Sequence, residues 1–315
     1  MKIVIPGGTG QVGTALARAF VRDGHEVVVL SRKPEKADWR AVEWDAETLG
    51  PWAQEIEGAD VVINLAGRNV NCRYTPENRR LIKESRVNSA KVVGEAIAKA
   101  AAPPRVWLQM STATIYAHRF DAPNDDITGI IGGHEPDAPD TWNFSIDVAA
   151  SWERAAEEAG TPGTRKVMMR AAMVMGPGKD GIFDTLLGLV KIGLGGTAAG
   201  GRQYISWIHE QDFIRSVYWL IEHEELSGPV NLASPNPLPN KEFMRILRKA
   251  WGIKIGLPAA KFMLAIGAFF MRSETELILK SRRVVPKRLT DTGFTFDFPE
   301  WEAAAEDLCR KSREN

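Results

Sequence analysis

Residues 1–13 read MKIVIPGGTGQVG, and this stretch decides the fold. Ile3-Val4-Ile5 is an apolar, β-branched run that is typical of a strand buried on both faces of a parallel sheet. Glycines follow at positions 7, 10 and 13, and the apolar residues from Val12 to Asp23 then repeat with helical spacing. The order of strand, glycine-rich turn and helix predicts a βα unit whose turn binds a ligand through its backbone.

The glycine spacing has a physical interpretation. Gly7 allows the tight turn, Gly10 lets the backbone approach a pyrophosphate, and Gly13 lets the helix pack close to the strand. The helix N-terminus then faces the negative charge of the ligand. Glycine can also serve a turn by its conformation alone, but this turn stands at the strand–helix junction that nucleotide binding needs. The predicted cofactor-binding residues of the turn are Gly7, Thr9, Gly10, Gln11, Val12 and Gly13.

Short β-branched runs alternate with helical patterns over the first two-thirds of the chain. Strands are predicted at residues 26–30, 41–44, 61–65, 105–110 and 166–173, with helices at residues 77–101 and 147–159. This alternation predicts an α/β fold with a Rossmann doubly wound parallel sheet over residues 1–175. Glycines and prolines interrupt the pattern afterwards. Residues 176–315 are therefore predicted to form mainly a smaller α+β substrate domain, with some segments returning to the sheet.

The end of the second strand selects the cofactor. NAD sites usually carry Asp or Glu there for the ribose hydroxyls, whereas this chain has Ser31-Arg32-Lys33 after Leu30. A hydroxyl, a guanidinium and an ammonium suit the additional phosphate of NADP. The alternative is a surface turn with two solvated cations. The pattern favours NADP(H).

Charge and cysteine content exclude several classes of protein. Lys plus Arg and Asp plus Glu both number 40, so no net charge favours nucleic acid or an anionic membrane as partner. The local basic run Arg282, Arg283, Lys287 and Arg288 is interpreted as a solvated helix end. The two cysteines, 237 positions apart as Cys72 and Cys309, form neither a disulfide framework nor a metal motif. We expect a cytoplasmic protein.

Two further stretches have simple interpretations. The apolar run Phe262–Met271 is too short to span a bilayer and predicts a buried helix. An acidic, glycine-rich loop lacks metal-ligand periodicity, so turn chemistry explains it better and no metal site is predicted. The acidic and histidine side chains of this loop are Asp125, Asp126, His134, Glu135 and Asp137.

Motifs along nearly the whole chain carry a resemblance. They are Gly7–Gly13, Asn64–Gly67, Ser85–Val87, Trp152-Glu153, Gly193–Gly196, Gly201–Gln203, Ser206–His209, Gly228–Asn231, Pro286–Leu289 and Gly293-Phe294. Together they resemble an atypical branch of the extended short-chain dehydrogenases/reductases. These epimerase-like proteins have their own C-terminal domain and are often called NAD-dependent epimerase/dehydratase or cell-division inhibitor.

The resemblance implies further cofactor contacts. Leu65-Ala66-Gly67 would lie along the cofactor at the end of the fourth strand, and Arg86 would point toward it from a helix. Met175 would lie near the nicotinamide, and Asp45 near the adenine. For Arg86, a surface ion pair with a neighbouring Glu is the alternative.

The usual catalytic pair of the superfamily is absent. Typical members use Tyr-x-x-x-Lys, in which the lysine lowers the pKa of the tyrosine so that it exchanges a proton with the substrate. The fourth residue after Tyr74, Tyr116, Tyr204 and Tyr218 is Asn, Phe, Ile and Glu respectively. Aligning backward from Glu153 puts Ser145 and Ala149 where the pair would stand. The branch that the chain resembles also tends to lack the pair.

Replacement groups are sought after the fifth strand, in the segment that faces the nicotinamide in the superfamily. Ser111 or Thr112 would bind a carbonyl oxygen, and Tyr116 would donate a proton. Packing with one hydrogen bond is the alternative for Tyr116. In the C-terminal half, Arg202 and Trp207 would contact an anionic or planar substrate, with core packing as the alternative for Trp207.

These residues support three hypotheses. The first is an NADP(H)-dependent oxidoreductase that acts on a small substrate, as a monomer or homodimer. The second is an NADP(H)-binding sensor or scaffold without redox activity, because the Tyr/Lys pair is missing. The third is a nucleotide-sugar epimerase or dehydratase, which ranks lower because that chemistry relies on the same pair.

Overall fold

The structure is a computed structural model that describes residues 1–136, 138–178, 181–259 and 276–314, without the side chains of Leu277 and Ile278. The apolar helix predicted at Phe262–Met271 lies outside these residues, as does Asp137 of the acidic loop. Within the described ranges, no helix is both long and apolar enough to cross a membrane.

A seven-stranded parallel sheet forms the centre of the fold. Its strands are β1 (Lys2–Pro6), β2 (Glu26–Ser31), β3 (Arg40–Glu43), β4 (Val61–Asn64), β5 (Val106–Thr112), β6 (Arg165–Ala171) and β10 (Gly228–Leu232). They are ordered β10-β6-β5-β4-β1-β2-β3, and each neighbouring pair is parallel. The chain runs outward from β1 to β3 and then returns to β4 on the other side of β1. The reversal creates a topological switch point between β1 and β4, where open parallel sheets bind ligands.

Helices cover both faces of the sheet, as predicted for a doubly wound fold. α1 (Gln11–Arg22) and α5 (Glu210–Glu222) pack on one face. α2 (Pro76–Lys99) and α3 (Asp140–Glu157) pack on the other, where Trp152 is buried against the strands. The predicted Rossmann α/β class is confirmed.

Two predicted elements have different bounds. α3 begins at Asp140, directly after Pro139, and not at residue 147. Proline can precede or open a helix because the first amides have no partner within the helix. The strand predicted at 166–173 is two strands, because the chain leaves the sheet after Ala171. The amide of Ala172 donates to the Leu232 carbonyl at 3.0 Å, and the next strand, β7 (Met173–Met175), pairs outside the main sheet.

Short strands and helices form the smaller C-terminal region. They are β7 (Met173–Met175), α4 (Ile182–Lys191), β8 (Tyr204–Ile205), β9 (Trp207–His209), β11 (Leu238–Pro239), α6 (Asn240–Trp251), α7 (Glu276–Leu279), α8 (Lys287–Asp291) and α9 (Trp301–Glu314). β7 pairs with β9 in parallel, and β8 pairs with β11 in antiparallel orientation. The core of this region includes Phe243, whose ring stacks on Trp301 with centroids 4.0 Å apart. β10 comes from this half of the chain yet pairs with β6, so it extends the main sheet.

Candidate cofactor and substrate site

The glycine turn after β1 is closely packed on two sides and open on the third. Gly7 has a φ of +74°, and a Cβ there would lie 2.6 Å from Ala66 Cα. A Cβ on Gly13 would lie 2.5 Å from Gly8 Cα, so glycine lets α1 approach the turn. A Cβ on Gly10 would meet nothing within 4 Å. The open side of the turn is therefore where a ligand has access to the backbone.

The N-terminus of α1 faces this open side. Its N-cap residue is Gly10, which makes no side-chain cap, and the first turn contains no acidic residue. The partial positive charge of the helix end is thus left to an external anion, as in phosphate sites. The Gln11 side chain donates to the Gly176 carbonyl at 2.9 Å, which holds the segment after β7 beside the turn.

Ser31 shapes the turn at the end of β2. Its hydroxyl accepts from the Lys33 amide at 3.1 Å. The same hydroxyl lies 3.1 Å from the Lys33 carbonyl, to which it donates. Arg32 and Lys33 are exposed. Two exposed cations therefore lie at the carboxyl end of the sheet, whereas the Ser31 hydroxyl is buried and bonded to Lys33. Contact of this turn with the additional phosphate of NADP remains a prediction.

Asp45 is exposed and forms a turn after β3. Its carboxylate accepts from the amides of Glu47 at 2.8 Å and Thr48 at 2.9 Å. It also accepts from the Thr48 hydroxyl. These bonds hold the segment beside the end of β2, and the adenine contact of Asp45 remains a prediction.

Arg86 is an enclosed cation on α2. Its Nη1 donates to the Ile82 carbonyl at 3.0 Å, and its guanidinium lies 5.2 Å from the Trp152 ring centroid. A Cβ on Gly67 would lie 3.1 Å from Arg86 Cζ, so the side chain passes directly under the segment after β4. Burial lowers the pKa of Arg86 to about 10. The alternative of a surface ion pair is wrong, because none of the described carboxylates pairs with this guanidinium.

Met175 does not present its side chain to a nicotinamide. The side chain is fully buried in the C-terminal core with Phe183 and Leu187. The prediction is therefore wrong for this side chain, because β7 turns toward β9 and away from the main sheet.

Ser111 and Tyr116 belong to a buried polar network that the sequence did not reveal. The Ser111 hydroxyl donates to Glu153 Oε1 at 2.5 Å, and Arg170 binds both oxygens of that carboxylate at 2.8 and 2.7 Å. Arg170 also donates to the Tyr116 hydroxyl at 3.0 Å, and this hydroxyl donates to Asn231 Oδ1 at 2.9 Å. The network joins β5, α3, β6 and β10.

This network contradicts the predicted catalytic roles of two residues. Tyr116 is 2% exposed and its hydroxyl is fully occupied, while Ser111 is 3% exposed and points to Glu153. Burial also raises the pKa of Tyr116, although Arg170 opposes the shift. Both side chains are structural in this arrangement. Thr112 is half-buried, and its hydroxyl accepts from the Thr114 amide at 3.2 Å.

Arg202 and Trp207 lie in different environments. Arg202 lines a surface cleft of about 580 Å³ together with Phe120, Tyr204 and Lys241, and its guanidinium lies 5.8 Å from the Phe120 ring centroid. Trp207 is fully buried and packs at a tilt against Trp301, with ring centroids 4.9 Å apart. The predicted substrate contact of Trp207 is wrong, because its side chain is enclosed in the C-terminal core. Arg202 remains a candidate.

In the acidic loop, turn chemistry is confirmed for Asp125 but not for Asp126, whose hydrogen bonds go to residues far along the chain. Asp125 accepts from the Ile127 amide at 2.7 Å and from the Thr128 side chain at 2.8 Å. Asp126 accepts from the amides of Asn231 at 2.9 Å and Arg288 at 3.0 Å. Both carboxylates hold backbone in place.

Sequence reasoning missed a second polar cluster, which is built around Ser145 on α3. The Ser145 hydroxyl donates to Glu276 Oε2 at 2.5 Å. This hydroxyl also acts on the pKa of Tyr74, whose ring packs edge-to-face on Phe144 with centroids 5.2 Å apart. Burial and the Glu276 carboxylate raise the pKa of Tyr74 to about 12.

Two cations complete the cluster from the C-terminal segment. Lys280 Nζ donates to the Thr114 carbonyl at 2.8 Å, and Arg282 Nε donates to Thr114 Oγ1 at 3.1 Å. Arg282 Nη2 lies 3.6 Å from Glu276 Oε1. Lys280 is 1% exposed and Arg282 9%. The interpretation of the basic run as a solvated helix end is wrong for Arg282, because this segment passes through the interior beside the end of β5.

The family follows from comparison with known proteins. Residues 3–233 match the NAD dependent epimerase/dehydratase family. The chain belongs to this family. Residues 259–308 match a domain of unknown function called DUF1731. The resemblance predicted from the motifs is confirmed.

Several members of the epimerase/dehydratase family are similar over their full length. The epimerase family protein YfhF of Bacillus subtilis is 30% identical over 313 residues, which are 98% of each chain. The human epimerase family protein SDR39U1 is 31% identical over 314 residues, which are 98% of this chain and 99% of the relative. A crystal structure of human SDR39U1 with NADPH superposes with a TM-score of 0.85 at 28% identity, over 98% of this chain and 99% of that one.

This member of the epimerase/dehydratase family has no Tyr-x-x-x-Lys on α3. Ser145 stands at the tyrosine position and Ala149, fully buried, at the lysine position. The missed cluster left one signal in the sequence, which is the absence of the Tyr-x-x-x-Lys pair. Spacing could not reveal its members, because Tyr74 lies 71 residues before Ser145 and Lys280 lies 135 residues after it.

Proposed function

We propose that the chain is an NADP(H)-dependent oxidoreductase that acts on a small carbonyl or alcohol substrate. The observation that carries the proposal is the uncapped N-terminus of α1, open at Gly10, with Arg32 and Lys33 at the neighbouring strand end. The human relative crystallised with NADPH supports the same cofactor.

The described residues fit such a cofactor. The helix end and the glycine backbone would hold the pyrophosphate, and the Ser31-Arg32-Lys33 turn would hold the ribose phosphate. Arg86, enclosed under Gly67, would contact the nicotinamide half. When bound, the cofactor supplies or accepts a hydride. The chain then has to bind the substrate, exclude water and move one proton.

The proposed substrate contacts are chosen by their position in the fold. We propose that Thr112 at the end of β5 and Arg202 in its cleft contact the substrate. The free thiols Cys72 and Cys309 support a cytoplasmic setting.

The test is a titration of the purified protein with NADPH and with NADH, read by tryptophan fluorescence. We expect NADPH to bind more tightly, and Arg32→Ala to weaken NADPH about tenfold or more, because a charge-assisted hydrogen bond contributes about 1.5–3 kcal/mol. Arg22→Ala removes an exposed cation from the other end of α1 and should leave binding unchanged. Equal affinities for the two cofactors, or no binding, would overturn the cofactor assignment.

One observation favours a second function. The dyad positions carry Ser145 and Ala149, and the predicted replacements Ser111 and Tyr116 are locked in a structural network. An NADP(H)-binding sensor or scaffold would need no proton donor. A panel of aldehydes and ketones decides between the two: NADPH oxidation above the protein-free rate supports the oxidoreductase, and tight binding without turnover supports the sensor. Nucleotide-sugar epimerisation ranks below both, because it relies on the same missing pair.

A further inference from the structure

Two neighbouring loops of the C-terminal region expose large aliphatic side chains, which we call the aliphatic patch. The loop after α4 contributes Ile192 and Leu194, and the loop after α6 contributes Ile255 and Leu257. Ile255 is 73% exposed and Ile192 68%, more than any other large apolar side chain among the described residues. Single exposed apolar residues are ordinary on a protein surface, but four together mark an interaction surface.

Hydrogen bonds hold the two loops side by side. The Leu257 amide donates to the Gly193 carbonyl at 2.8 Å, and Arg248 of α6 donates through Nη1 to the Gly195 carbonyl at 2.7 Å. A Cβ on Gly196 would clash with the Leu257 carbonyl, so the two backbones are in close contact. The four aliphatic side chains therefore belong to one continuous surface of fixed geometry.

The ends of the two helices explain the loops but not their aliphatic residues. α4 and α6 are each followed by a glycine in the left-handed region, Gly193 at a φ of +78° and Gly252 at +90°. The apolar residue after such a glycine usually packs back on its helix. Ile253 packs in this way against the C-terminal core, whereas Leu194 remains 49% exposed. Ile255 lies beyond the motif altogether.

The aliphatic patch has cations at its edge. Lys191, Lys249 and Lys254 are exposed. Residues 185–199 and 243–259, which contain both loops, include five Lys or Arg and no Asp or Glu, although the whole chain has no net charge. A helix C-terminus favours a nearby cation, which accounts for Lys191 and Lys249. Lys254 lies past the end of α6 and is not explained in this way.

Trp251 lies at the same edge, at the end of α6. It is half-buried, and its ring is contacted by two cations, with Lys191 Nζ 4.5 Å and Arg313 Cζ 4.6 Å from the centroid. Tryptophan, lysine and arginine are the residues that concentrate at the boundary between a membrane and water. The aliphatic patch with this edge therefore has the composition of a surface that rests on a bilayer.

We propose that the aliphatic patch docks the protein on the surface of an anionic lipid bilayer. The four aliphatic side chains enter the boundary between headgroups and acyl chains, and Lys191, Lys249 and Lys254 bind the negative headgroups. Docking of this kind requires no membrane-spanning helix. The inference goes beyond the proposed oxidoreductase function and does not depend on it.

A second copy of the chain fits the aliphatic patch less well. In a two-fold symmetric dimer the same surface faces itself, so the cations of one copy would meet the cations of the other. The two segments that form the patch contain no carboxylate that could pair with them. An anionic bilayer satisfies both the aliphatic and the cationic groups.

The test is cosedimentation of the purified full chain with lipid vesicles. One set contains phosphatidylcholine alone and the other an equal mixture of phosphatidylcholine and phosphatidylserine. We expect partitioning to be about tenfold or more stronger with the anionic vesicles, and to weaken as the salt concentration rises. Absence of binding to both sets, or equal binding to both, would overturn the proposal.

Variants separate the aliphatic patch from the remaining surface. Ile255→Ser should weaken partitioning about tenfold, because an aliphatic side chain no longer leaves water. Lys254→Glu should weaken it about fivefold or more, because one attraction to the headgroups becomes a repulsion. The matched controls are Ile127→Ser in the loop before α3 and Lys91→Glu on α2, both at exposed positions, and they should bind like the wild type. Wild-type binding by Ile255→Ser and Lys254→Glu would refute the assignment.

Two further measurements distinguish the other possible occupants. Ile255→Ser should unfold thermally at the wild-type temperature, because an exposed side chain contributes little to stability. A large loss of thermal stability would mean that another part of this chain covers the patch. A wild-type dimer in size-exclusion chromatography that Ile255→Ser dissociates would mean that a second copy covers it. Either result would overturn docking on a bilayer.

Discussion

At the scale of single residues, burial decides what each cation does. Arg32 and Lys33 are exposed at the end of β2, where they are available to a phosphate. Arg86 and Lys280 are enclosed, and burial lowers the pKa of both. Exposed cations can bind a phosphate that arrives from solvent, whereas enclosed cations interact only with the groups that are packed around them.

Two glycines of the same turn should respond differently to alanine. Gly13→Ala would place a Cβ 2.5 Å from Gly8 Cα, so we expect a large loss of folding stability or no folded protein. Gly10→Ala points into open space at a φ of −73° and should fold normally. Because the methyl group occupies the approach to the backbone, NADPH affinity should fall about tenfold or more. Thermal unfolding and NADPH titration measure the two effects. Normal NADPH affinity in Gly10→Ala would contradict the position of the pyrophosphate.

Tyr116 should behave as a structural residue. Tyr116→Phe leaves Asn231 Oδ1 and Arg170 Nη1 each without a hydrogen-bond partner in the interior, so unfolding in urea should show a loss of about 1–3 kcal/mol. Tyr218→Phe breaks a more exposed bond to Asp23 and should cost less. A Tyr116→Phe variant of unchanged stability but strongly reduced turnover would restore its catalytic role.

At the scale of elements, one buried ion pair attaches α3 to the sheet. Glu153 on α3 and Arg170 on β6 are bidentate, and their side chains are 7% and 10% exposed. Removing one partner leaves the other charge unpaired in the interior, and this lowers the free energy of unfolding far more than breaking an exposed ion pair does.

Glu153→Gln tests this attachment. We expect a loss of about 3–5 kcal/mol in the free energy of unfolding, because Arg170 keeps its charge without a carboxylate. Lys83→Ala breaks the exposed pair between Lys83 on α2 and Asp147 on α3 and should cost at most about 1 kcal/mol. Urea denaturation monitored by tryptophan fluorescence compares them. Equal costs for the two variants would contradict the importance of burial.

At the scale of the whole molecule, His209 attaches the final helix to the remainder. Its Nδ1 accepts from the Gln211 amide, so the neutral ring carries its proton on Nε2 and donates to Asp307 of α9 at 3.1 Å. The ring stacks on Phe298 with centroids 3.9 Å apart. Burial and the charge of Lys311 lower the pKa of His209 to about 4.

This shift predicts a pH dependence of stability. The unfolded chain takes up the proton near pH 6.5 and the folded chain only near pH 4. The contribution of His209 is therefore complete above pH 6.5 and is lost as the pH falls toward 4, by up to about 3 kcal/mol. His209→Gln should be less stable at pH 7.5 but should lose less between pH 6.5 and 4, as measured by urea denaturation. His134→Gln, at an exposed site, should follow the wild type, and a His209→Gln profile parallel to the wild type would contradict the assignment.

Much of the fold was predictable because its signals are local. The glycine turn after β1, the alternation of strands and helices and the family motifs all lie in short stretches. The spacing of apolar residues and glycines within each stretch is enough to recognise it. The split between β6 and β7 was not predictable in this way. Ala171 and Met173 belong to one apolar run, and only pairing with Leu232 and with β9 separates them.

The sequence by itself determined the Rossmann class, the glycine turn and the cations after β2, since each depends on neighbours within a few residues. Only the tertiary structure decided the burial and the hydrogen-bond partners of polar side chains that are distant in sequence. It held Ser111 and Tyr116 in a structural network, enclosed Trp207, and brought Glu276 to Ser145. The physical reason is that burial, charge and available hydrogen-bond partners are properties of a position in space, and residues far apart in the chain supply them.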